Sequence, residues 1–287
     1  MVNFIESLAI SWRHFKTHWK IIPLAAALDF LFFFLVGFVS IAKFRASSAQ
    51  PLLSLIQAGG KLTTTLTNAA IGGESTLNVF LADPIVAASV KDLAYAAVLF
   101  VLLSFGFWVA FNGPSWYLAY RMMGTQHSFK LVKYILRFLV VSGVWALILS
   151  LFTIVGLRFI FFALLRPDQL FTSSLVQSIV TLLQFILLYF IFISLSFVPI
   201  VRLKDNFKNA VKYGFTEAPN YLAAFAVIVV LFYINFKVTF YLFSPLIQTA
   251  TTLTTSVIAV TVLRFLIAAP VLTFSRMYLM TMSKRMR

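Results

Sequence analysis

The chain contains no cysteine and only 8 acidic residues among 287. The first absence excludes disulfides, thiolate catalysis and cysteine-held zinc or iron–sulfur centres. The second leaves few groups for acid–base work, and those few are scattered along the sequence. No G-x-S-x-G, H-E-x-x-H, G-x-x-x-x-G-K-[ST] or glycine-rich phosphate loop is present either. An enzyme is therefore not expected, and neither is a cofactor. His14 and His18 stand four apart, but no acid or cysteine nearby completes a metal ligand set, so no metal site is expected. Glycine is scarce at 11 residues, which suggests loosely packed helices in a chain of bulky side chains.

What is present is apolar surface. Hydrophobic residues make up 61% and charged residues 11%, against about 45–50% and 25% in soluble domains. Phenylalanine alone occurs 33 times. No water-soluble fold of this length has enough interior for that content. The expected fold is an all-α integral membrane protein. Six segments are apolar enough to span, at about 21–42, 95–120, 138–162, 175–201, 220–243 and 254–275.

The formal net charge is +15. In a soluble domain this would suggest nucleic acid; here it reads as topology, and no specific nucleic acid is expected. With the N-terminus in the cytoplasm, four basic clusters fall on that side: Arg13/Lys16/Lys20, Arg121/Lys130/Lys133/Arg137, Arg202/Lys204/Lys208/Lys212 and the basic C-terminal tail Arg276/Lys284/Arg285/Arg287. The cytoplasmic face then carries a net +12 and the outer face +3, with Asp29 and Arg264 cancelling inside the bilayer. The expected placement is multi-pass in the cytoplasmic membrane with both termini inside. Arg13, Lys16, Lys20, Lys130, Lys133, Arg137, Lys204, Lys208 and Lys212 are expected to contact anionic lipid headgroups.

Similar features recur three times. Amphipathic stretches precede the odd spans: Phe4, Leu8, Trp12, Phe15 and Trp19; Phe129, Val132, Leu136 and Leu139; and Phe207, Val211 and Phe215. Each reads as a helix lying in the membrane interface. The even spans carry Pro114, Pro199 and Pro270 near their cytoplasmic ends, and Leu-(Ile/Val)-Gln recurs at Gln57, Gln177 and Gln248. The segment 1–127 is then one repeat, 128–204 a second and 205–287 a third, each an interfacial helix plus a two-helix hairpin. The repeats would surround a pseudo-three-fold axis along the membrane normal. The first copy holds an extra outer region, 43–94, expected to form short capping helices.

Three groups are candidate sites. Asp29 and Arg264 both fall near the midplane and would form an intramembrane ion pair, either a helix clamp or a coupling site. Gln57, Gln177 and Gln248 would form an outer polar ring or cap helix ends. Asn112-Gly113-Pro114, with Pro199 and Pro270, would kink the even spans. The expected function is a non-catalytic scaffold or assembly subunit with a membrane-protein partner. The alternative is a small-solute transporter or channel with its pathway along the bundle axis.

Overall fold

The computed structural model describes the backbone of residues 4–71, 82–124, 130–165, 170–248 and 253–285, and side chains within these except at 4, 56, 59–71, 155–165, 170–174, 176–177, 235–236, 239–248 and 253–267. Every element among the described residues is helical. Four helices there are long and apolar enough to cross a membrane: Trp19–Leu55, Pro84–Met122, Leu131–Ile154 and Ser178–Phe197. A fifth arises if Leu203–Thr216 and Ala218–Ile234, bent by 89°, count as one broken span. Leu147, Leu151, Ile154, Leu182 and Phe185 stand exposed on the outside of two of these helices, an apolar belt that only lipid tolerates. The chain is a multi-pass membrane protein.

Helix α1 (Phe4–Thr17) lies ahead of a 3-10 turn, Trp19–Ile21, and of α2 (Ile22–Leu35). A π-helical turn, Val36–Ser40, joins α2 without a break to α3 (Ile41–Ile71). Helix α4 (Pro84–Phe107) returns and passes through a second π turn, Trp108–Asn112, into α5 (Gly113–Met122). Asp83 caps α4, accepting from Ile85 N at 2.8 Å and Val86 N at 3.2 Å. The Asp83-Pro84 pair that interrupts the apolar pattern is thus a helix start, with proline at the first position. Helices α6 (Leu131–Leu165) and α7 (Leu170–Phe197) form a second hairpin. Helix α8 (Leu203–Thr216) leads into α9 (Ala218–Gln248), which pairs with α10 (Leu253–Arg285).

Only two of the three amphipathic stretches form separate helices, α1 and α8. The stretch 129–139 is, in its described part, simply the start of the straight helix α6. Proline explains the difference. Pro23 and Pro219 sit in the first turns of α2 and α9, where the preceding helix must end. No proline follows the middle stretch, so α6 runs on. Both separate helices dock through small residues, Ser7 and Ser11 on α1 and Asn206, Ala210 and Gly214 on α8. Trp12, Val211 and Phe215 remain outward.

The region 43–94 does not form short caps. Its described part extends α2 and α4 as one long antiparallel hairpin of α3 on α4. The facing positions are Phe44, Ser48, Pro51, Leu55 and Ala58 on α3, and Val86, Ser89, Leu93, Ala96 and Phe100 on α4. Their alternating spacing of three and four is a heptad seam, and Phe44 meets Phe100 with ring centroids 5.5 Å apart. Serine and alanine do here what glycine does elsewhere, so helices pack closely despite scarce glycine.

The bundle is organised around α10. It packs against α1, α2, α5, α7 and α9, and every residue from Thr273 to Ser283 is buried. This segment was expected to leave the membrane as a basic tail. It is instead the centre of the described bundle, with Met277, Tyr278, Met280 and Met282 fully enclosed.

Candidate functional site: a buried ion pair at the bundle centre

The site starts from Asp29. On α2 it shares a buried face with Ala25 and Ala26, whose small side chains let neighbouring helices come close. Arg276 lies on the enclosed part of α10. The two side chains are 2% and 7% exposed and pair through both nitrogens: Arg276 Nη1 donates to Asp29 Oδ2 at 2.6 Å and Nη2 donates to Oδ1 at 2.8 Å. This is the fork geometry that makes arginine–carboxylate pairs strong.

Asp29 is therefore paired with Arg276, where a pair with Arg264 was expected. Twelve residues separate the two arginines, which is roughly 18 Å along a helix. Asp29 lies at the level of the lower one, where α2, α5 and α10 meet. The Arg264 side chain lies outside the described residues.

Two more side chains complete the shell. Nη1 of Arg276 also donates to Ser115 Oγ at 2.6 Å, and Nη2 donates to Asn112 Oδ1 at 2.6 Å. Ser115 in turn donates to the Ala25 carbonyl at 3.5 Å. Both residues come from the Asn112–Ser115 break, where the π turn gives way to α5. This segment was expected as a helix kink; in the structure it aims two acceptors at a guanidinium. The Trp116 ring lies 5.7 Å from Arg276 Cζ, within cation–π range. All four N–H bonds on the terminal nitrogens are thus donated, and the charge is cancelled. The described geometry is that of a clamp joining three helices.

A second polar cluster fastens α8 and α9 to the centre. Ser283 on α10 hydrogen-bonds Ser196 at 2.5 Å and Tyr221 at 2.8 Å. Asn206 on α8 accepts from Ser194 Oγ through its side-chain oxygen and donates to the Ser194 carbonyl at 3.0 Å. Ser11 on α1 donates to Thr281 at 3.0 Å. None of these residues stood out in the sequence. The usable signal was the stretch from Thr273 to Ser283, where polar and apolar residues mix without forming a separate polar face.

The other expected sites fare differently. Gln57 is exposed on α3, while the side chains of Gln177 and Gln248 lie outside the described residues. Pro114 stands just after the π turn and Pro270 lies within α10. Pro199 does not kink a span; it lies in the turn that closes α7. Of the basic residues, Arg13, Lys16, Lys20, Lys130, Lys133, Lys204, Lys208 and Lys212 are exposed. Lys16 rests over the Trp12 ring at 5.1 Å and Lys212 over Tyr213 at 5.4 Å, within cation–π range. Arg137 is turned partly inward and donates to the Val201 carbonyl at 3.1 Å. His14 and His18 have ring centroids 6.3 Å apart, and no metal-ligand cluster occurs among the described residues. Partial burial, with His18, Lys284 and Arg13 nearby, holds His14 below its ordinary pKa.

The chain matches no family model, no curated protein and no solved structure.

Proposed function

We propose that the chain is a non-catalytic assembly protein of the cytoplasmic membrane, with six spans, both termini inside and its partner bound along the α3–α4 arm. In this reading α10 is the sixth span and the bent α8–α9 pair supplies the fifth. The basic excess on the cytoplasmic side sets this orientation. The first and third copies of the repeat keep a separate interfacial helix, and the second has merged its own into α6.

The observation that carries the reading is the length of the arm. Helix α2, the π turn and α3 run on for 14, 5 and 31 residues without interruption. At 1.5 Å per residue that is roughly 75 Å, more than twice the roughly 30 Å hydrocarbon core. The α3–α4 hairpin at its end is seamed in heptads from Phe44 to Ala58, and it carries Leu52, Leu53, Ile85 and Val90 exposed on its sides. The filled bundle centre supports the same reading, because a pathway there would displace α10.

The test is site-specific photocrosslinking in cells. A photoreactive phenylalanine analogue at Leu53 or Val90 is expected to yield one discrete adduct of fixed stoichiometry. The same analogue at Leu151, on the lipid-facing side of α6, should yield none. Absence of any arm adduct, with a monomeric protein after gentle extraction, overturns the proposal. Solute flux by the reconstituted protein alone would replace it with a transporter.

A further inference from the structure

Beside the ion pair lies a cavity of about 290 Å³, between α2, α5, α7, α9 and α10. Half of its lining residues are aromatic. Trp116 stacks on Phe192 with centroids 6.4 Å apart, and Phe192 meets Phe225 edge-on at 6.1 Å. Asn112 and Arg276 stand on the same wall and give it one polar pole.

The hydrogen bonding at that pole is one-sided. Asn112 Oδ1 is committed to Arg276, which leaves the Asn112 amide N–H₂ without an acceptor among the described residues. An unanswered donor in so apolar a place is costly, and a bound acceptor removes that cost. The charge balance narrows the acceptor further. Asp29 already neutralises Arg276, so an anion in the cavity would leave an uncompensated negative charge in an apolar interior. A hydroxyl or amine would bring a donor of its own to a pole that already has too many.

We propose that this cavity binds a neutral, carbonyl-bearing apolar molecule, its oxygen accepting from the Asn112 amide and its body lying against Phe192 and Phe225. Pockets of this kind are apolar with a few placed polar groups, which is the composition here. The site is separate from the α3–α4 arm, so its occupancy is independent of the assembly role.

Benzophenone, a neutral diaryl ketone that inserts into nearby C–H bonds on illumination, is a suitable probe. In protein reconstituted into nanodiscs, saturable labelling is expected on peptides carrying Phe192, Phe225 or the segment 272–279. Diphenylmethane has the same two rings without the carbonyl, and benzoate carries a charge. Each is expected to compete at least tenfold less well than unlabelled benzophenone. Ile228→Trp fills the cavity without touching its polar pole, and should abolish labelling while elution and melting stay those of the parent. Labelling in ether-linked phospholipid that exceeds labelling in ester-linked phospholipid assigns the resident molecule to the ester carbonyl of the bilayer; equal labelling assigns it to a free small molecule. Labelling that does not saturate, labelling confined to other peptides, or equal competition by diphenylmethane overturns the proposal. The competition requires no variant, so it stands even if Ile228→Trp fails to fold.

Discussion

At the scale of single residues, Asp29 and Arg276 define how this chain tolerates charge in an apolar bundle. Each alone would be a costly buried ion; paired, and with Asn112 and Ser115 taking the remaining terminal N–H bonds, they join α2, α5 and α10. Removing one partner strands the other, so Asp29→Asn or Arg276→Met should each lower stability by about 3–5 kcal/mol. The double variant should cost clearly less than the sum of the two, because neither charge is then left alone. Thermal unfolding of the four proteins in one lipid or detergent system measures this cycle. Single variants within about 1 kcal/mol of the parent, the range of exposed ion pairs, would show that the clamp does not form. Asp29 was legible in the sequence as a buried, paired carboxylate. Its partner was not, because a hydropathy window ends a span at the first polar cluster and therefore assigned Arg276 to the cytoplasm.

At the scale of elements, proline and small residues decide the local outcomes. The stripes of α1 and α8 were readable as helices because their aromatic and basic faces alternate with a helical period. The faces that dock were not readable, since Ser7, Ser11, Ala210 and Gly214 carry no hydropathy signal. Gly214 sets the closest of these contacts: a Cβ there would come within 2.5 Å of the buried Phe190 ring, and Tyr189 donates to the Gly214 carbonyl at 2.8 Å. Gly214→Ala should therefore push α8 off α7 and cost about 1–3 kcal/mol, the usual penalty of overpacking. Melting temperature, with protease nicking between Arg202 and Glu217 as the local readout, checks it. A neutral substitution would mean that α8 floats on the bundle instead of docking to it. The arm teaches the same lesson: half of its heptad seam is Ser48, Pro51, Ala58, Ser89 and Ala96, too polar or too small for a hydropathy scan to find. Asp83-Pro84 looked like an interruption and is a cap.

At the scale of the whole molecule, composition alone identified a membrane protein, and the described helices agree, with four spans or five if the bent pair is counted. What composition does not carry is which helix occupies the middle. A pattern of three similar hairpins suggests a ring around an axis, whereas packing places the last helix inside, held by Asp29, Ser11, Ser196 and Tyr221. The central claim is that the middle of the bundle is filled by α10 and is dry. The absence of native cysteine makes this directly measurable, because a single introduced thiol is the sole reactive one. Met277→Cys and Met280→Cys lie at fully buried positions, and Lys284→Cys lies at an exposed one. With a water-soluble, membrane-impermeant maleimide applied to reconstituted protein, Lys284→Cys should react promptly. The two central cysteines should remain unmodified until the protein is denatured. Modification of Met277→Cys or Met280→Cys in the folded protein at a rate close to that of Lys284→Cys would contradict the account and reveal a hydrated path through the centre.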